Sequence, residues 1–366
     1  MRCPGGHERG IHAPEEPMSV RKASALESLH SCRRHCNTTI RPEFAPLLKA
    51  ARIAGEFHQM RIVLIGQQAF GQSVLNAIFE TGKDEVVGVF CSPDQEGRRE
   101  DPLKAGAVEH NIPLFQPGRF RSDEAIEQFN GLSPDLCVMA YVTDIVPMEM
   151  INGPTHGTIQ YHPSLLPLHR GPSSINWPII MGEDRTGLTI FWPDEGLDTG
   201  PVLLQKEIEI GPDDTLGSVY FNHLYPMGVE AMIESIDLVR DGNAPKIVQN
   251  ESKSTYESWA KAKDGRIDWS LPAQQIYNLI RGCNPQPGAS TTHDDERLRI
   301  FDSGLGESVD PNAAPGTVIS LGEQGFEVAT GNGTVMVKRV QRRGAKKEPA
   351  AEFASAAGLK IGDHLG

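Results

Sequence analysis

Short apolar runs alternate with amphipathic segments between residues 60 and 210. RIVLIG (61–66) and EVVGVF (85–90) are typical of buried strands, and the segment between them (69–82) has a helical period. Further strand-like runs occur at 112–115, 135–141, 156–162, 187–192 and 201–210, with helical patterns at 102–110 and 123–131. Because strands that alternate with helices usually pair in parallel, this pattern predicts an α/β fold with a doubly wound, mostly parallel sheet.

The carboxy-terminal part of the chain has a different pattern. A long amphipathic helix (214–242) and a linker-like stretch (243–256) precede it, and a single short helix is predicted at 274–283. The remaining strand-like runs are short and separated by Gly and Asn turns, which predicts a small, OB-like β-barrel. We therefore expect an α/β domain at 60–256 and a β-rich domain at 257–366.

Residues 1–59 have neither a regular hydrophobic period nor the apolar segment of a secretory signal. They are predicted to be a disordered amino-terminal extension. The motif HSCRRHC (30–36) does not match the ligand spacing of standard zinc sites, so no metal is predicted. The six cysteines of the chain lack the spacing of a disulfide framework, which is typical of proteins from a reducing cytoplasm.

Charge and hydropathy limit the partners that this chain can have. The net charge is −13, and the excess of acidic residues is concentrated in residues 60–257. An acidic surface repels phosphate backbones, so the composition disfavours a nucleic-acid partner. Apolar runs are all much shorter than the roughly 20 residues that a membrane-spanning helix needs, so no membrane partner is expected.

Two polar segments follow strand-like runs and carry the candidate chemistry. One is HPSLLPLHRG (162–171), and the other is the carboxylate-rich loop DEGLDTG (194–200). Open α/β sheets bind their ligands at the carboxyl ends of the strands, which is where both segments are predicted to lie. The turn GQQAFG (66–71) lacks the glycine spacing of a dinucleotide fingerprint, so no nucleotide cofactor is predicted.

The pair HPSLLPLHRG and DEGLDTG resembles the signature motifs of the folate-dependent formyltransferases. The likeness extends over about residues 60–300, and RIDWSLPAQQIYNLIRGCNPQPGA (266–289) is similar to the start of the carboxy-terminal domain of family members that act on tRNA. The resemblance implies that residues 60–256 form a formyltransferase catalytic domain. It also implies 10-formyltetrahydrofolate as the co-substrate, with no metal.

The resemblance implies catalytic roles for three side chains. Formyl transfer passes through a tetrahedral oxyanion, which a protonated His162 would stabilise. Asp198 would hold the imidazolium and could order a water molecule that relays the proton. Gln160 stands where the family has an asparagine, and it offers the same amide on a longer side chain. A histidine that is merely part of the core is the alternative reading for His162, and a solvent-facing strand residue is the alternative for Gln160.

Other residues are assigned to ligand contacts by the same resemblance. The pterin ring of the folate would be lined by Met139, Ala140, Tyr141 and Ile145, together with the backbone of Asp194, Glu195, Gly196 and Leu197. A place in the core is the alternative for the apolar members. Ser164 and Arg170 are the candidate contacts for the acceptor, and a structural ion pair is an equal alternative for Arg170.

The acceptor of the formyl group is the least determined feature of the sequence. The segment SPDQEGRREDPLKAG (92–106) carries more acidic than basic residues and is shorter than the basic loop of the tRNA-formylating enzymes. It resembles the hydrolase domain of 10-formyltetrahydrofolate dehydrogenase, as does IGQQAFGQ (65–72). The prediction is therefore transfer to water or a small amine. Formylation of methionyl-tRNA is the main alternative, and a sugar-nucleotide amine acceptor or a folate-binding module without turnover are two others.

Overall fold

The structure, a computed structural model, describes residues 59–97, 99–308, 310 and 312–366. The disordered extension predicted for residues 1–59 lies outside the described residues except for residue 59, as does the HSCRRHC motif (30–36). Of the described cysteines, Cys91, Cys137 and Cys283 are buried free thiols. Burial raises the pKa of Cys91 and of Cys137 to about 12, so both thiols are inert at neutral pH.

The predicted parallel sheet is present and is mostly parallel. Its seven strands are β1 (Arg61–Gly66), β2 (Glu85–Phe90), β3 (Leu114–Phe115), β4 (Leu136–Ala140), β5 (Thr158–His162), β6 (Arg185–Phe191) and β7 (Val202–Glu209). Their order is β3-β2-β1-β4-β5-β6-β7. The first five pair in parallel, whereas β6 and β7 are antiparallel additions. The strand order reverses at β1 and β4, next to the strand that carries His162, and ligands bind at such a reversal.

Helices connect the strands of this sheet, and the last two helices along the chain belong to the carboxy-terminal part. They are α1 (Gln68–Thr81), α2 (Pro102–Glu109), α3 (Asp123–Gly131), α4 (Met148–Asn152), α5 (Asn176–Met181), α6 (Leu216–Val219), α7 (Tyr225–Arg240), α8 (Ala273–Gly282) and α9 (Ala350–Ala357). Capping side chains determine where several of these helices begin. The Asp101 carboxylate accepts from the Leu103 N–H at the start of α2, and the Ser122 hydroxyl accepts from the Ala125 N–H at the start of α3.

The single long helix predicted at 214–242 is interrupted. A π-helical turn at Tyr220–Leu224 separates α6 from α7, and the Tyr225 N–H bonds to the carbonyl of Tyr220, five residues back. Pro226 in the first turn of α7 explains the break. Proline has no N–H to donate and its ring collides with the carbonyl four residues back, so a regular α-helix cannot continue through it.

Aromatic packing holds β5 against the helices on one face of the sheet. The Tyr161 ring lies 4.4 Å from the ring of Phe70 in α1, and the Phe70 ring also meets Tyr225 of α7 edge-on at 5.6 Å. Each of these rings belongs to a different element, so together they tie α1 and α7 to the strand that ends at His162.

The carboxy-terminal part forms a second, antiparallel sheet, as predicted. Its strands are β8 (Ala289–His293), β9 (Glu296–Leu305), β10 (Val318–Gly322), β11 (Gly325–Ala329), β12 (Thr334–Arg342) and β13 (Glu348–Pro349). The order is β10-β11-β12-β9-β8, and β13 pairs with β12. β10 and β8 lie at the two ends of this path, so the OB-like barrel stays a prediction. The sheet has a hydrophobic cluster of its own that includes Trp269, Ile300 and Phe326.

The two sheets belong to one compact unit, residues 59–366. Helix α5, which follows the site motif, packs on α8 of the carboxy-terminal part. At this junction the Asn176 side-chain amide donates to the carbonyls of Gly282 (2.8 Å) and Gln286 (2.9 Å). The domain boundary expected at residue 256 stays a prediction.

We expect replacement of Arg240 by alanine to lower the free energy of unfolding by about 3 kcal/mol. The Arg240 guanidinium in α7 pairs with the buried Asp84 carboxylate, which also accepts from the Met60 N–H at the start of β1. Removing the guanidinium leaves this carboxylate buried without a counter-charge. Urea denaturation followed by circular dichroism measures the change.

The control for this experiment is Arg185→Ala. Arg185 pairs with Glu207 at 3.0 Å, but both side chains are more than half exposed. Solvent-exposed pairs of this kind contribute less than about 1 kcal/mol. Equal losses of stability in the two variants would contradict a structural role for the buried pair.

Candidate active site

His162 is the last residue of β5 and lies on the same strand face as Gln160. Side chains two residues apart on a strand point to the same side, so the sequence spacing places these two groups together. The His162 side chain is 6% exposed. In the sheet, Gln160 is paired with Met139 of β4 and Phe191 of β6. The Gln160 amide makes no hydrogen bond to any described residue, so it is available to a ligand.

One nitrogen of the His162 ring is occupied by a backbone carbonyl. Nε2 lies 2.9 Å from the carbonyl oxygen of His169. A carbonyl oxygen only accepts hydrogen bonds, so Nε2 carries the proton and donates. The other ring nitrogen, Nδ1, lies 3.7 Å from Oδ2 of Asp198, beyond hydrogen-bonding distance. Nδ1 is therefore the nitrogen of this ring that remains able to exchange a proton.

Asp198 belongs to the DEGLDTG loop between β6 and β7. The residue has a left-handed backbone (φ 57°), which aspartate tolerates better than most residues, and its side chain is 7% exposed. Its Oδ2 accepts a hydrogen bond of 2.8 Å from the Gly171 N–H. The structure thus brings the two predicted catalytic side chains, His162 and Asp198, to the same place from segments 36 residues apart in sequence.

Two glycines allow the site loops to come this close. Gly171 has a φ of +93°, and a Cβ atom there would lie 2.6 Å from the carbonyl oxygen of Glu257. A Cβ atom on Gly200 would lie 1.8 Å from the carbonyl oxygen of Trp192. No side chain fits at either position without moving the backbone. This steric limit explains the glycine at residue 171 of HPSLLPLHRG and at residue 200 of DEGLDTG.

The loop that follows His162 is anchored to neighbouring strands. The Leu166 N–H donates to Oγ1 of Thr189 in β6 at 3.1 Å, and the Gln205 amide in β7 donates to the Leu166 carbonyl at 2.7 Å. Ser164 is fully buried, and its hydroxyl donates to the carbonyl of Leu168 at 2.7 Å. This position gives no support to the acceptor contact predicted for Ser164.

Arg170 is fully buried and its guanidinium is hydrogen-bonded to three side chains. It makes a bidentate contact with Glu251, at 2.8 and 2.6 Å, and donates to the Tyr256 hydroxyl and to Oε1 of Gln249. The hydrogen bond with Glu251 lowers the pKa of that carboxyl group and raises the pKa of Arg170. The acceptor contact predicted for Arg170 has no support here, and the side chain occupies the structural ion pair that was its alternative.

The segment predicted as a linker contributes residues that sequence reasoning missed. The backbone of Arg170 pairs with this segment, because its N–H donates to the Thr255 carbonyl and its carbonyl accepts from the Glu257 N–H, both at 3.1 Å. The Gln249 amide donates to the carbonyls of Asp198 (2.9 Å) and Gly200 (2.7 Å). These polar residues show no local period, so the sequence offers no signal that they belong to the site.

The side chain of His169 is a second buried imidazole beside the site. Its Nδ1 lies 3.2 Å from Glu257 and its Nε2 lies 3.1 Å from Glu183. A carboxylate only accepts, so both bonds exist together when both ring nitrogens carry protons. These contacts fix the residue whose backbone carbonyl holds Nε2 of His162.

Comparison with known proteins identifies the family. The family model described as formyl transferase matches residues 60–236, and the model of the formyl transferase carboxy-terminal domain matches residues 260–358. The chain belongs to the folate-dependent formyltransferase family.

Two kinds of protein are represented among the similar curated relatives. Cytosolic 10-formyltetrahydrofolate dehydrogenase of Xenopus laevis is 38% identical over 320 residues, covering 83% of this chain and 35% of the relative. Methionyl-tRNA formyltransferase of Citrifermentans bemidjiense is 37% identical over 312 residues, covering 84% of this chain and 96% of the relative. The chain thus spans about a third of the length of the curated dehydrogenases that it matches.

Solved structures share the fold. HypX from Aquifex aeolicus in complex with tetrahydrofolic acid superimposes with a TM-score of 0.59 at 20% identity, covering 83% of this chain and 48% of HypX. The likeness agrees with the predicted formyltransferase fold, with its mixed sheet followed by an antiparallel domain.

In this family member, the four residues predicted on the β4 side of the folate site divide into two pairs. Met139 and Ala140 are buried in the core, at 4% and 0% exposed, so they offer little surface to a ligand. Tyr141 and Ile145 are 45% and 69% exposed, respectively. Tyr141 has a left-handed backbone (φ 64°) directly after β4. These two exposed side chains are the members of the set that can meet a ligand.

On the opposite side, the loop of residues 194–197 is exposed and held by its own hydrogen bonds. Oδ1 of Asp194 accepts from the Gly196 N–H at 3.0 Å and from the Thr199 hydroxyl. Glu195 points to solvent, and the Leu197 side chain is 57% exposed beside the buried Asp198. The predicted backbone contacts of this loop with folate stay predictions.

Among the described residues, no three His, Cys, Asp or Glu side chains are grouped as metal ligands. Within the same part of the chain, no helix combines the length and the apolar character needed to cross a membrane.

Proposed function

We propose that this formyltransferase takes the formyl group from 10-formyltetrahydrofolate and passes it to water or a small amine. The observation that carries the proposal is the buried pair formed by Nδ1 of His162 and the carboxylate of Asp198, 3.7 Å apart at the carboxyl end of β5. In an α/β sheet this is the edge at which ligands bind. The folate, when bound, supplies the activated formyl group.

The residues present fit a ligand with an apolar ring and a polar edge. Tyr141 and Ile145 follow β4, and Leu197 precedes Asp198; all three expose apolar side chains. The Gln160 amide is without a partner in the described chain. Gln160 shares the strand face of His162 and Leu197 adjoins Asp198, so these two, with Tyr141 and Ile145, are the candidates for holding the folate and aiming its formyl group at Nδ1.

In this proposal, His162 and Asp198 have different chemical roles. Because Nε2 donates to the His169 carbonyl, the second proton of an imidazolium resides on Nδ1, where it can stabilise a developing negative oxygen. A preorganised donor of this kind contributes about 3 kcal/mol to transition-state stabilisation. The Asp198 carboxylate holds the positive charge of the ring and can orient a water molecule. Gln160 offers a second donor from the same face of β5.

The acidic loop after β2 supports water or a small amine as the acceptor. Lys104 in α2 is neutralised by Asp94 (2.5 Å) and Glu100 (3.2 Å). Asp101 accepts from the backbone N–H of Gln68 at the start of α1. Of the described side chains in this loop, Arg99 is the basic one without an ion pair, so the loop offers little positive charge to a phosphate backbone.

Formylation of methionyl-tRNA is the second candidate. It is favoured by the likeness to a methionyl-tRNA formyltransferase, which extends over 96% of that relative and includes its carboxy-terminal domain. The basic residues of the β12–β13 hairpin are a possible contact for nucleic acid, but two of them have protein partners. Arg342 pairs with Glu348 at 2.9 Å, and the Lys347 ammonium lies 3.5 Å from the centre of the Phe301 ring.

A screen of acceptors tests the proposal. Purified protein is incubated with 10-formyltetrahydrofolate alone, with small primary amines, and with charged initiator methionyl-tRNA, and tetrahydrofolate and formate are measured. We expect tetrahydrofolate release with water or a small amine, at a rate that depends weakly on salt. Fast formylation of the tRNA, lost as salt is raised, would select the second candidate, because tRNA binding depends on phosphate contacts.

Two further outcomes have clear meanings. Turnover only with a sugar-nucleotide amine would show that the acceptor is a sugar nucleotide. Binding of tetrahydrofolate without turnover under any condition would show that the protein is a folate-binding module. A location in the cytoplasm stays part of the proposal.

A further inference from the structure

Arg170 lies between the two backbone groups that hold the proposed catalytic pair. The preceding residue, His169, accepts from Nε2 of His162 through its carbonyl, and the following residue, Gly171, donates its N–H to Asp198. The position of Arg170 therefore affects both partners of the pair. Its side chain leaves this segment and enters the interior.

A chain of hydrogen bonds links the Arg170 side chain to the loop of Asp198. Nη2 and Nε of Arg170 donate to Oε1 of Gln249 at 2.8 and 3.2 Å. The amide nitrogen of Gln249 then donates to the carbonyls of Asp198, at 2.9 Å, and of Gly200, at 2.7 Å. One buried side-chain amide thus anchors the loop on both sides of residue 199.

The guanidinium is held rigidly at this place. Glu251 binds it with two short bonds, at 2.8 and 2.6 Å, and the Tyr256 hydroxyl adds a third at 2.6 Å. A planar guanidinium in a bidentate pair has a defined orientation, unlike an ammonium on a flexible chain. Arg170 itself is fully buried, whereas Glu251 and Tyr256, which bind its guanidinium, are more than half exposed.

We propose that Arg170 and Gln249 are positioning residues that set the place of the Asp198 carboxylate relative to Nδ1 of His162. This inference rests on the proposed formyl transfer. The outer part of the loop, residues 194–197, is exposed, so the carboxylate is held by the Gly171 N–H and by the anchors of Gln249 at Asp198 and Gly200. Misplacing a catalytic group by about 1 Å costs on the order of a hundredfold in rate.

Gln249→Glu is the variant that isolates this role. The new carboxylate still accepts from Arg170, but it cannot donate to the carbonyls of Asp198 and Gly200. We expect kcat to fall by about tenfold to a hundredfold, while KM for 10-formyltetrahydrofolate changes by less than about threefold. The matched control is Gln341→Glu, which removes a side-chain donor to the carbonyl of Ala345 in the second sheet and should leave kcat unchanged.

A double-mutant cycle separates positioning from general destabilisation. If Gln249 acts through the Asp198 carboxylate, Gln249→Glu should change kcat by less than about twofold in an Asp198→Asn background. A full and multiplicative loss in that background would overturn the proposal. Arg170→Lys should reproduce the fall in kcat, and the conclusion stands on Gln249→Glu if the lysine variant fails to fold.

A structural measurement keeps this inference distinct from the proposed function. Wild-type turnover tests formyl transfer by itself. Crystal structures of the wild type and Gln249→Glu give the distance between Oδ2 of Asp198 and Nδ1 of His162 whether or not either protein is active. A changed distance supports the positioning role, and an unchanged distance of 3.7 Å overturns it.

Discussion

We expect His162→Ala to lower kcat for formyl transfer by at least about a hundredfold, the loss typical of a single preorganised donor. The variant removes Nδ1, which is the ring nitrogen free to face the reacting group because Nε2 is bonded to the His169 carbonyl. The fold should persist, since the imidazole makes one hydrogen bond and ends its strand. The release of tetrahydrofolate measures turnover, and thermal unfolding with tetrahydrofolate binding verifies that the protein is intact.

The matched control for this prediction is His110→Ala. His110 ends α2, where its ring stacks on Phe79 at 4.0 Å and bonds to Asn76, so the substitution removes a histidine from the helical surface. Its kcat should stay within about twofold of wild type, as for most residues outside the site. If His162→Ala turned over at the wild-type rate, the assignment of this imidazole would be wrong, whatever the acceptor.

Asp198→Asn is expected to have an effect of the same order, a fall in kcat of about a hundredfold or more. Asparagine also accepts the left-handed backbone of this position, and its amide oxygen can take the hydrogen bond from the Gly171 N–H. The substitution therefore removes the negative charge beside the His162 ring and leaves the loop in place. Initial rates at saturating 10-formyltetrahydrofolate measure the loss.

Asp295→Asn is the control that matches Asp198→Asn in backbone and chemistry. Asp295 also has a left-handed backbone (φ 61°), in the exposed turn between β8 and β9. It should retain wild-type kcat. Because residues that act as a unit are not additive, the double variant of His162→Ala and Asp198→Asn should be no slower than the worse single variant. Independent, multiplying losses would mean that the two side chains act separately.

Local patterns were sufficient to predict the main elements of the α/β domain. Strands such as Arg61–Gly66 and Glu85–Phe90 match the apolar runs that predicted them, because parallel strands are buried on both faces. The long helix was predicted without its π-helical turn at Tyr220–Leu224. Hydrophobic period is a property of the whole helix, whereas the break depends on the backbone chemistry of Pro226.

The predicted folate-lining residues show that position along the chain does not determine which side chains are exposed. Met139 and Tyr141 are two residues apart at the end of one strand, yet the first is in the core and the second is 45% exposed. The strand ends between them, and the left-handed backbone of Tyr141 turns its side chain out of the sheet. A motif places residues along the chain, but the backbone turn decides which of them face a cleft.

For this protein, sequence alone determined the α/β architecture, the family resemblance and the pairing of His162 with Asp198. Those features depend on hydrophobic period and on short motifs, which are local properties of the chain. Tertiary structure decided that Arg170 is buried and that Gln249 and Glu251, in the segment predicted as a linker, bind its guanidinium. Their contacts with Arg170 join residues 79 and 81 positions apart, and no local pattern encodes which distant polar groups will meet.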